Sequence, residues 1–460
     1  MARYESPGAP VFTRSNALQA RLHDLVPGGA HTYARSADQY PESMAPIIDH
    51  GSGARVWDAD GNSFVEYGMG LRAVTLGHGY GPVVDAVCAE IARGTSFTRP
   101  SVLEAAAAEE FLTLVPGADM VKFAKNGSDA TTAAVRLARA VTGREHVAVC
   151  EQPFFSVDDW FIGTTPMRAG IPNCTVERTV RFRFNNVASL EDALTTHPIA
   201  CVLLEAATAT QEPEPGFLEQ VRRLCDRHGA LLVFDEMITG FRWSEHGAQG
   251  LYGVRPDLSC WGKAMGNGFP IAALAGRREI MELGGLRTDA DRVFLLSTTH
   301  GPESGSLAAF RAVVHAYATE GPITKMERAG RTLADAINAA ATELGVDEFV
   351  EVVGRPSCLL FVTRDAQHRP SQEFRTLFLQ ELLMRGVLAQ SFVVSAAHTD
   401  DDLAVTIEAT RGAMRIYRQA LDAGSVDGHL RGRPVAPALR ARAEPRRLAS
   451  GSLSSGRPSS

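Results

Sequence analysis

Apolar and polar positions along the chain alternate between two periods. Residues 120–124, 146–150, 199–204, 230–234 and 271–275 are short apolar runs bounded by polar or glycine-containing stretches, which predicts strands. Between them, residues 128–142 and 215–228 carry apolar residues at helical spacing. The first of these has Ser128 or Asp129 as its expected N-cap and Gly143 as its stop. Strands alternating with helices predict an α/β fold with a mainly parallel sheet. Ligands on such sheets sit outside the carboxyl ends of the strands, so the residues that follow each strand carry the interest. Beyond Thr319 the pattern changes to helices at 323–344, 371–385 and 399–423 with short strands at 349–353 and 358–362, which predicts a smaller α+β domain. In 426–460, seven Arg face two acidic residues and no apolar period survives, so a mostly disordered tail is expected. There is no internal repeat.

Composition narrows the class. With 45% hydrophobic and 22% charged residues, the chain is globular in character. No apolar run approaches the roughly 18 residues that a membrane span needs, and residues 1–29 lack the apolar core of a signal peptide. Forty-six basic against 53 acidic residues leave a net charge of −7, which argues against a nucleic-acid partner. Seven cysteines without a Cys-x-x-Cys fit reduced thiols in a cytoplasm better than a disulfide frame or a zinc site.

Three strand ends carry candidate chemistry. Lys125-Asn126-Gly127-Ser128-Asp129 joins a strand to a helix start, where amide N–H groups, a permissive glycine and a hydroxyl suit a phosphate; an ordinary capped helix reads the same way. Asp235 ends an apolar strand, where a carboxylate can keep a ring nitrogen protonated or merely cap a turn. Lys263 stands among small and apolar residues, where a desolvated amine forms a Schiff base, although a surface lysine is the simpler alternative. Together a phosphate cradle, an aspartate and a lysine meet the needs of pyridoxal phosphate. A nicotinamide enzyme would want Gly-x-Gly-x-x-Gly, and the fragment Gly68-Met-Gly70 stops short of it.

Three long runs make the reading specific: Phe123-Ala-Lys-Asn-Gly-Ser-Asp-Ala-Thr-Thr-Ala-Ala-Val-Arg-Leu-Ala-Arg139, Leu231-Leu-Val-Phe-Asp-Glu-Met-Ile-Thr-Gly-Phe-Arg242 and Gly250-Leu-Tyr-Gly-Val-Arg-Pro-Asp-Leu-Ser-Cys-Trp-Gly-Lys263. In these the chain resembles the class III aminotransferases, in the subgroup similar to glutamate-1-semialdehyde 2,1-aminomutase. The resemblance runs from about Val11 to Leu421. It implies the fold type I architecture of aspartate aminotransferase: an N-terminal segment (1–75), a large cofactor domain (76–318), a small C-terminal domain (319–425) and a tail. It also implies a homodimer with shared active sites. By position, Lys263 would carry pyridoxal 5'-phosphate as a Schiff base and move the substrate proton, and Asp235 would pair with the pyridine nitrogen. Asn126, Gly127 and Ser128 would bind the phosphate, with Thr299 reaching it from the neighbouring subunit. Phe154 and Met237 would flank the ring. Glu205, Phe155, Tyr33 and Arg35 would lie on the substrate side.

The departures from that subgroup guide the substrate expectation. Phe154-Phe155-Ser156 stands for Tyr-His-Gly, Glu205-Ala206 for Glu-Pro, and His31-Thr32-Tyr33 for Asn-Ser-Pro; the aminomutase's tryptophan is missing from Met69-Gly70-Leu71-Arg72. With Gly28-Gly-Ala-His-Thr-Tyr33, they suggest transamination from a donor such as glutamate to the carbonyl of an oxidised sugar or aminocyclitol, in antibiotic or polysaccharide synthesis. The rival is a mutase or epimerase acting within one amino substrate. A non-catalytic pyridoxal-phosphate binder would not require both Asp235 and Lys263. His31, His78 and His300 fit packing roles as well as ligand roles. Arg72 and Arg242 suit either a carboxylate or a structural ion pair, and the acids in 157–167 either a polyamine or solvent.

Overall fold

Seven strands stack edge to edge, and the central ones carry hydrophobic residues on both faces and so need cover on both. In the computed structural model, which describes residues 9–151 and 154–443, they are β4 (Met120–Ala124), β5 (His146–Cys150), β6 (Thr179–Phe182), β7 (Ile199–Leu204), β8 (Leu231–Asp235), β9 (Leu258–Trp261) and β10 (Ala272–Gly276). Their order across the sheet is β4-β10-β9-β8-β7-β5-β6. Strands β6, β5, β7, β8 and β9 pair parallel, and only β10 runs antiparallel to its neighbours. The fold is thus α/β with a mostly parallel sheet.

Both faces are covered. All six residues of β7 are buried, and each buried Leu, Ile or Val of this kind contributes about 1.5–3 kcal/mol. On one face lie the helices Gly127–Thr142, Val187–Thr196 and Phe217–His228; on the other lie Gly81–Ile91, Val102–Leu114 and Ser304–Glu320. Strand β10 shows the alternation directly: Ala272 and Leu274 join the first layer, Ala273 and Ala275 the second.

The helix Gly127–Thr142 begins straight after β4, and its N-cap is Asn126 rather than Ser128 or Asp129. The Asn126 amide donates to Asp129 Oδ2 at 3.1 Å, which places the acid one turn in. At the other end Gly143 takes φ +65° and stops the helix, as expected.

A second assembly joins the two ends of the chain. Strands β1 (Ile48–Ser52), β2 (Arg55–Asp58) and β3 (Ser63–Glu66) form a meander, and β13 (Val387–Leu388) adds parallel to β3. The hairpin β11 (Val350–Val353) and β12 (Leu360–Thr363) packs with the helices Pro322–Glu343, Gln372–Leu383 and Asp400–Ala423 in a separate core that also takes in Val65 and Tyr67.

The expected disorder from 426 onward does not hold for 426–443. Val426 and Val435 are buried, the Val435 amide donates to Thr376 Oγ1 at 2.8 Å, and Arg433 pairs with Glu42 at 3.3 Å. Two apolar anchors and ion pairs to the N-terminal segment hold a stretch that has no periodicity of its own. The rest of that segment lies outside the described residues. Among the described residues, no helix is long and apolar enough to cross a membrane.

Candidate active site

Strand register builds the centre of the site. Leu204 of β7 pairs with Phe234 of β8, so the next residues, Glu205 and Asp235, leave the sheet side by side. Asp235 in turn pairs with Cys260 of β9, and the chain runs through Trp261 and Gly262 to Lys263. Two carboxyl groups and one amine therefore meet at the carboxyl edge. Asp235 and Glu205 are 2% and 3% exposed, and Lys263 is partly open.

Burial dominates the electrostatics of this trio. It raises Asp235 to about 6, against the pull of Lys263 and of the Met237 amide, which donates to Asp235 Oδ1 at 2.9 Å. Burial, then the charge of Asp235, raises Glu205 to about 8. Burial lowers Lys263, and the carboxylates of Asp235 and Glu205 oppose it. The adjoining Glu236 adds a smaller push that raises both carboxyls; its own carboxylate accepts from Thr239 and from the amides of Ala248 (2.8 Å) and Gln249 (3.0 Å), and anchors the following loop.

The helix start at Gly127 forms one wall. A Cβ on Gly127 would come within 2.8 Å of Met237 Sδ, and one on Gly262 within 2.7 Å of the same sulfur. Met237 therefore wedges between the helix N-terminus and the lysine turn, and both glycines are needed for that approach. The first amides of the helix have no intrahelical acceptor. Ser128 Oγ accepts the Val157 amide at 3.0 Å, which leaves its own proton to donate. Below it, Trp160 Nε1 donates to Thr132 Oγ1 at 2.7 Å and Thr132 donates to Asp158, so this loop acid, left open to a polyamine or to solvent, is a structural acceptor.

The backbone shape of a third wall was not legible in the sequence, although the missing tryptophan and Arg72 had marked the segment. Met69, Gly70, Leu71 and Arg72 have φ of 43, 60, 59 and 74°, a left-handed turn. Glu66 accepts the Met69 amide at 2.7 Å. Arg242 is fully buried and donates to the carbonyls of Arg72 (3.1 Å), Val74 (3.3 Å), Ser357 (3.0 Å) and Val394 (2.8 Å), which makes it structural. Asn267, at φ +44°, accepts the amides of Thr75 (3.0 Å) and Leu76 (2.9 Å). The only hint of the turn in the sequence was the pair of glycines around Met69.

Other expected residues are packed in the core or exposed in the single chain. Phe155, expected at the substrate, is 3% exposed and packs in the core against Phe161 at 5.6 Å. Phe154 packs on the same ring at 5.3 Å with an open face. Tyr33 is 59% exposed and Arg35 is exposed beside Tyr40, so neither joins Lys263 within one chain. Thr299 is exposed on its own protomer, and Asn126 is exposed at the helix cap.

Comparison with known proteins accounts for this arrangement. The family described as aminotransferase class-III matches residues 36–421. The chain is similar to the glutamate-1-semialdehyde 2,1-aminomutase of Syntrophobacter fumaroxidans, 33% identical over 87% of this chain and 97% of that protein. It is equally similar to the enzyme of the same name from Desulfitobacterium hafniense, 33% identical over 87% of this chain and 98% of that one. Among solved structures it resembles the pyridoxal-phosphate form of the FumI protein of Sphingopyxis sp. MTA144, with a TM-score of 0.82, 28% identity, and coverage of 91% of this chain and 99% of that one.

These relatives overturn the expected sugar or aminocyclitol aminotransferase, because they carry the name of a mutase over nearly their whole length. Two of the departures behind that expectation lie away from the pocket of the single chain: Phe155 is core packing and Tyr33 is exposed. The residues present suit pyridoxal phosphate: a helix start cleared by Gly127, a buried Asp235 and a desolvated Lys263 on neighbouring strand ends. The chain belongs to the class-III aminotransferase family, and its cofactor is pyridoxal 5'-phosphate.

Proposed function

We propose that the protein is an intramolecular aminomutase that moves the nitrogen of a short amino aldehyde acid from one carbon to its neighbour. Glutamate-1-semialdehyde is the substrate that fits: its amino group leaves C2 and an amino group is placed on C1, giving 5-amino-4-oxopentanoate with no net oxidation. The observation that carries this is the 33% identity to 2,1-aminomutases over 87% of the chain. Seven cysteines, all without disulfides, support a cytoplasmic setting.

When bound, pyridoxal phosphate supplies an electron sink for the carbon that bears the nitrogen. Lys263 Nζ would hold the cofactor and would take up and return the proton of the substrate carbon that bears the nitrogen. Its lowered basicity leaves more of the amine neutral and able to accept that proton. Asp235 holds the pyridine nitrogen protonated, and a cation placed there would favour its ionised form. Glu205, held protonated by burial and by Asp235, offers a hydrogen bond on the substrate side without adding charge. Asn126, Gly127 and Ser128 hold the phosphate from the helix start. Met237 and Phe154 bound the ring, and Thr299 completes the phosphate site of a partner subunit in a homodimer.

The test is incubation of holoenzyme with glutamate-1-semialdehyde as sole substrate. Formation of 5-amino-4-oxopentanoate without an added amino donor or oxo acid is expected. No product under those conditions would overturn the reading.

A further inference from the structure

The left-handed turn at Met69–Arg72 is costly. Left-handed backbone disfavours any residue with a Cβ by about 1–2 kcal/mol, and three of the four residues here have one. Such strain persists only where the surroundings over-determine it, and it gathers at functional sites. The surroundings here are Glu66 on the Met69 amide, Arg242 on the carbonyls of Arg72 and Val74, and Asn267 on the amides of Thr75 and Leu76. A buried arginine and a buried asparagine thus hold a turn whose last residue is Arg72.

The Arg72 side chain is half-buried. Its Nε donates to Cys358 Sγ at 3.2 Å, on the floor formed with Met69, Val74 and Val393. Its charge acts on both Lys263 and Glu205. Arg242 next to it has its carbonyl acceptors, but no carboxylate among the described residues forms an ion pair with Arg72. A guanidinium has five N–H donors in a fixed fork matched to a carboxylate. Only one of the five is engaged here, and by a weak acceptor.

We infer that Arg72 receives the substrate's carboxylate in a two-pronged contact and so fixes which end of the chain faces Lys263. The inference deepens the aminomutase reading and rests on it for the choice of substrate.

The probes are levulinate, which has the five-carbon acid skeleton without the nitrogen, and its uncharged methyl ester. Calorimetric binding to resting holoenzyme is measured for the wild type, Arg72→Gln, Arg72→Lys and Arg72→Asn; asparagine accepts positive φ and guards against misfolding. Wild type is expected to prefer the acid. Arg72→Gln and Arg72→Asn should lose roughly 10–100-fold in acid affinity, the scale of a charged hydrogen-bond pair, with ester binding and cofactor absorbance unchanged. Arg72→Lys should retain part of the preference. KM for glutamate-1-semialdehyde should rise in step, with kcat within a few-fold. Equal affinity of wild type for acid and ester, or unchanged acid affinity in Arg72→Gln, overturns the inference. An acid preference that depends on Arg72, with no turnover of glutamate-1-semialdehyde, overturns the aminomutase reading and leaves the carboxylate site standing.

Discussion

Asp235 and Lys263 reach the same sheet edge through one strand pairing: Asp235 is the Cα partner of Cys260, and Lys263 follows three residues later. Burial drives both toward their neutral forms, while their mutual attraction favours the charged pair. The same burial that would neutralise each group alone thus strengthens the attraction between them.

Removal of the amine should end the chemistry and spare the fold. Lys263 begins a short turn and takes no part in the cores, so Lys263→Ala is expected to melt within a few degrees of wild type and to show no turnover. Full turnover by this variant would sink the assignment.

The raised Glu205 gives a pH signature in the cofactor-free protein. Its folded value of about 8 lies above its ordinary 4.5, so between these the folded chain binds more protons than the unfolded chain. Stability must therefore fall as pH rises through that window. Glu205→Gln cannot ionise and should flatten the slope. Melting temperatures of both proteins at pH 5 and pH 8 check this, and parallel slopes would refute it.

The approach of Met237 to the helix start should be sterically exacting. Gly127→Ala puts a Cβ 2.8 Å from Met237 Sδ. The expected result is cofactor affinity weakened by about tenfold, equivalent to roughly 1.4 kcal/mol. The double variant Gly127→Ala with Met237→Ala removes the clash and should recover part of the loss. No change in the single variant would contradict the geometry.

Thr299 tests the shared site. It is exposed on its own protomer, so Thr299→Ala should leave the melting temperature of the cofactor-free chain unchanged and speed cofactor loss from the dimer. Unchanged cofactor retention would count against a contribution from the neighbouring subunit.

The central sheet was legible because its strands are mostly apolar runs: 120–124, 146–150 and 199–204 coincide with β4, β5 and β7. Asp235 was legible because it ends such a run, and Lys263 because it stands among small and apolar residues. Strand β6 was not, since Thr179-Val-Arg-Phe182 mixes polar and apolar residues at a sheet edge. The meander at 48–66 was hidden for the same reason, with β1 largely exposed. The turn at Met69–Arg72 escaped because three of its residues have no preference for positive φ, and the contacts that impose it come from Glu66, Arg242 and Asn267. Phe155 misled because an aromatic at a substitution site reads as a pocket residue until its burial is seen.

The most direct test of the account follows the nitrogen. Holoenzyme is given unlabelled glutamate-1-semialdehyde together with excess ¹⁵N-glutamate, and the 5-amino-4-oxopentanoate formed is examined by mass spectrometry. An intramolecular aminomutase predicts product without the heavy label and no 2-oxoglutarate. Labelled product with matching 2-oxoglutarate would contradict it and make the protein a transaminase that draws its nitrogen from a separate donor.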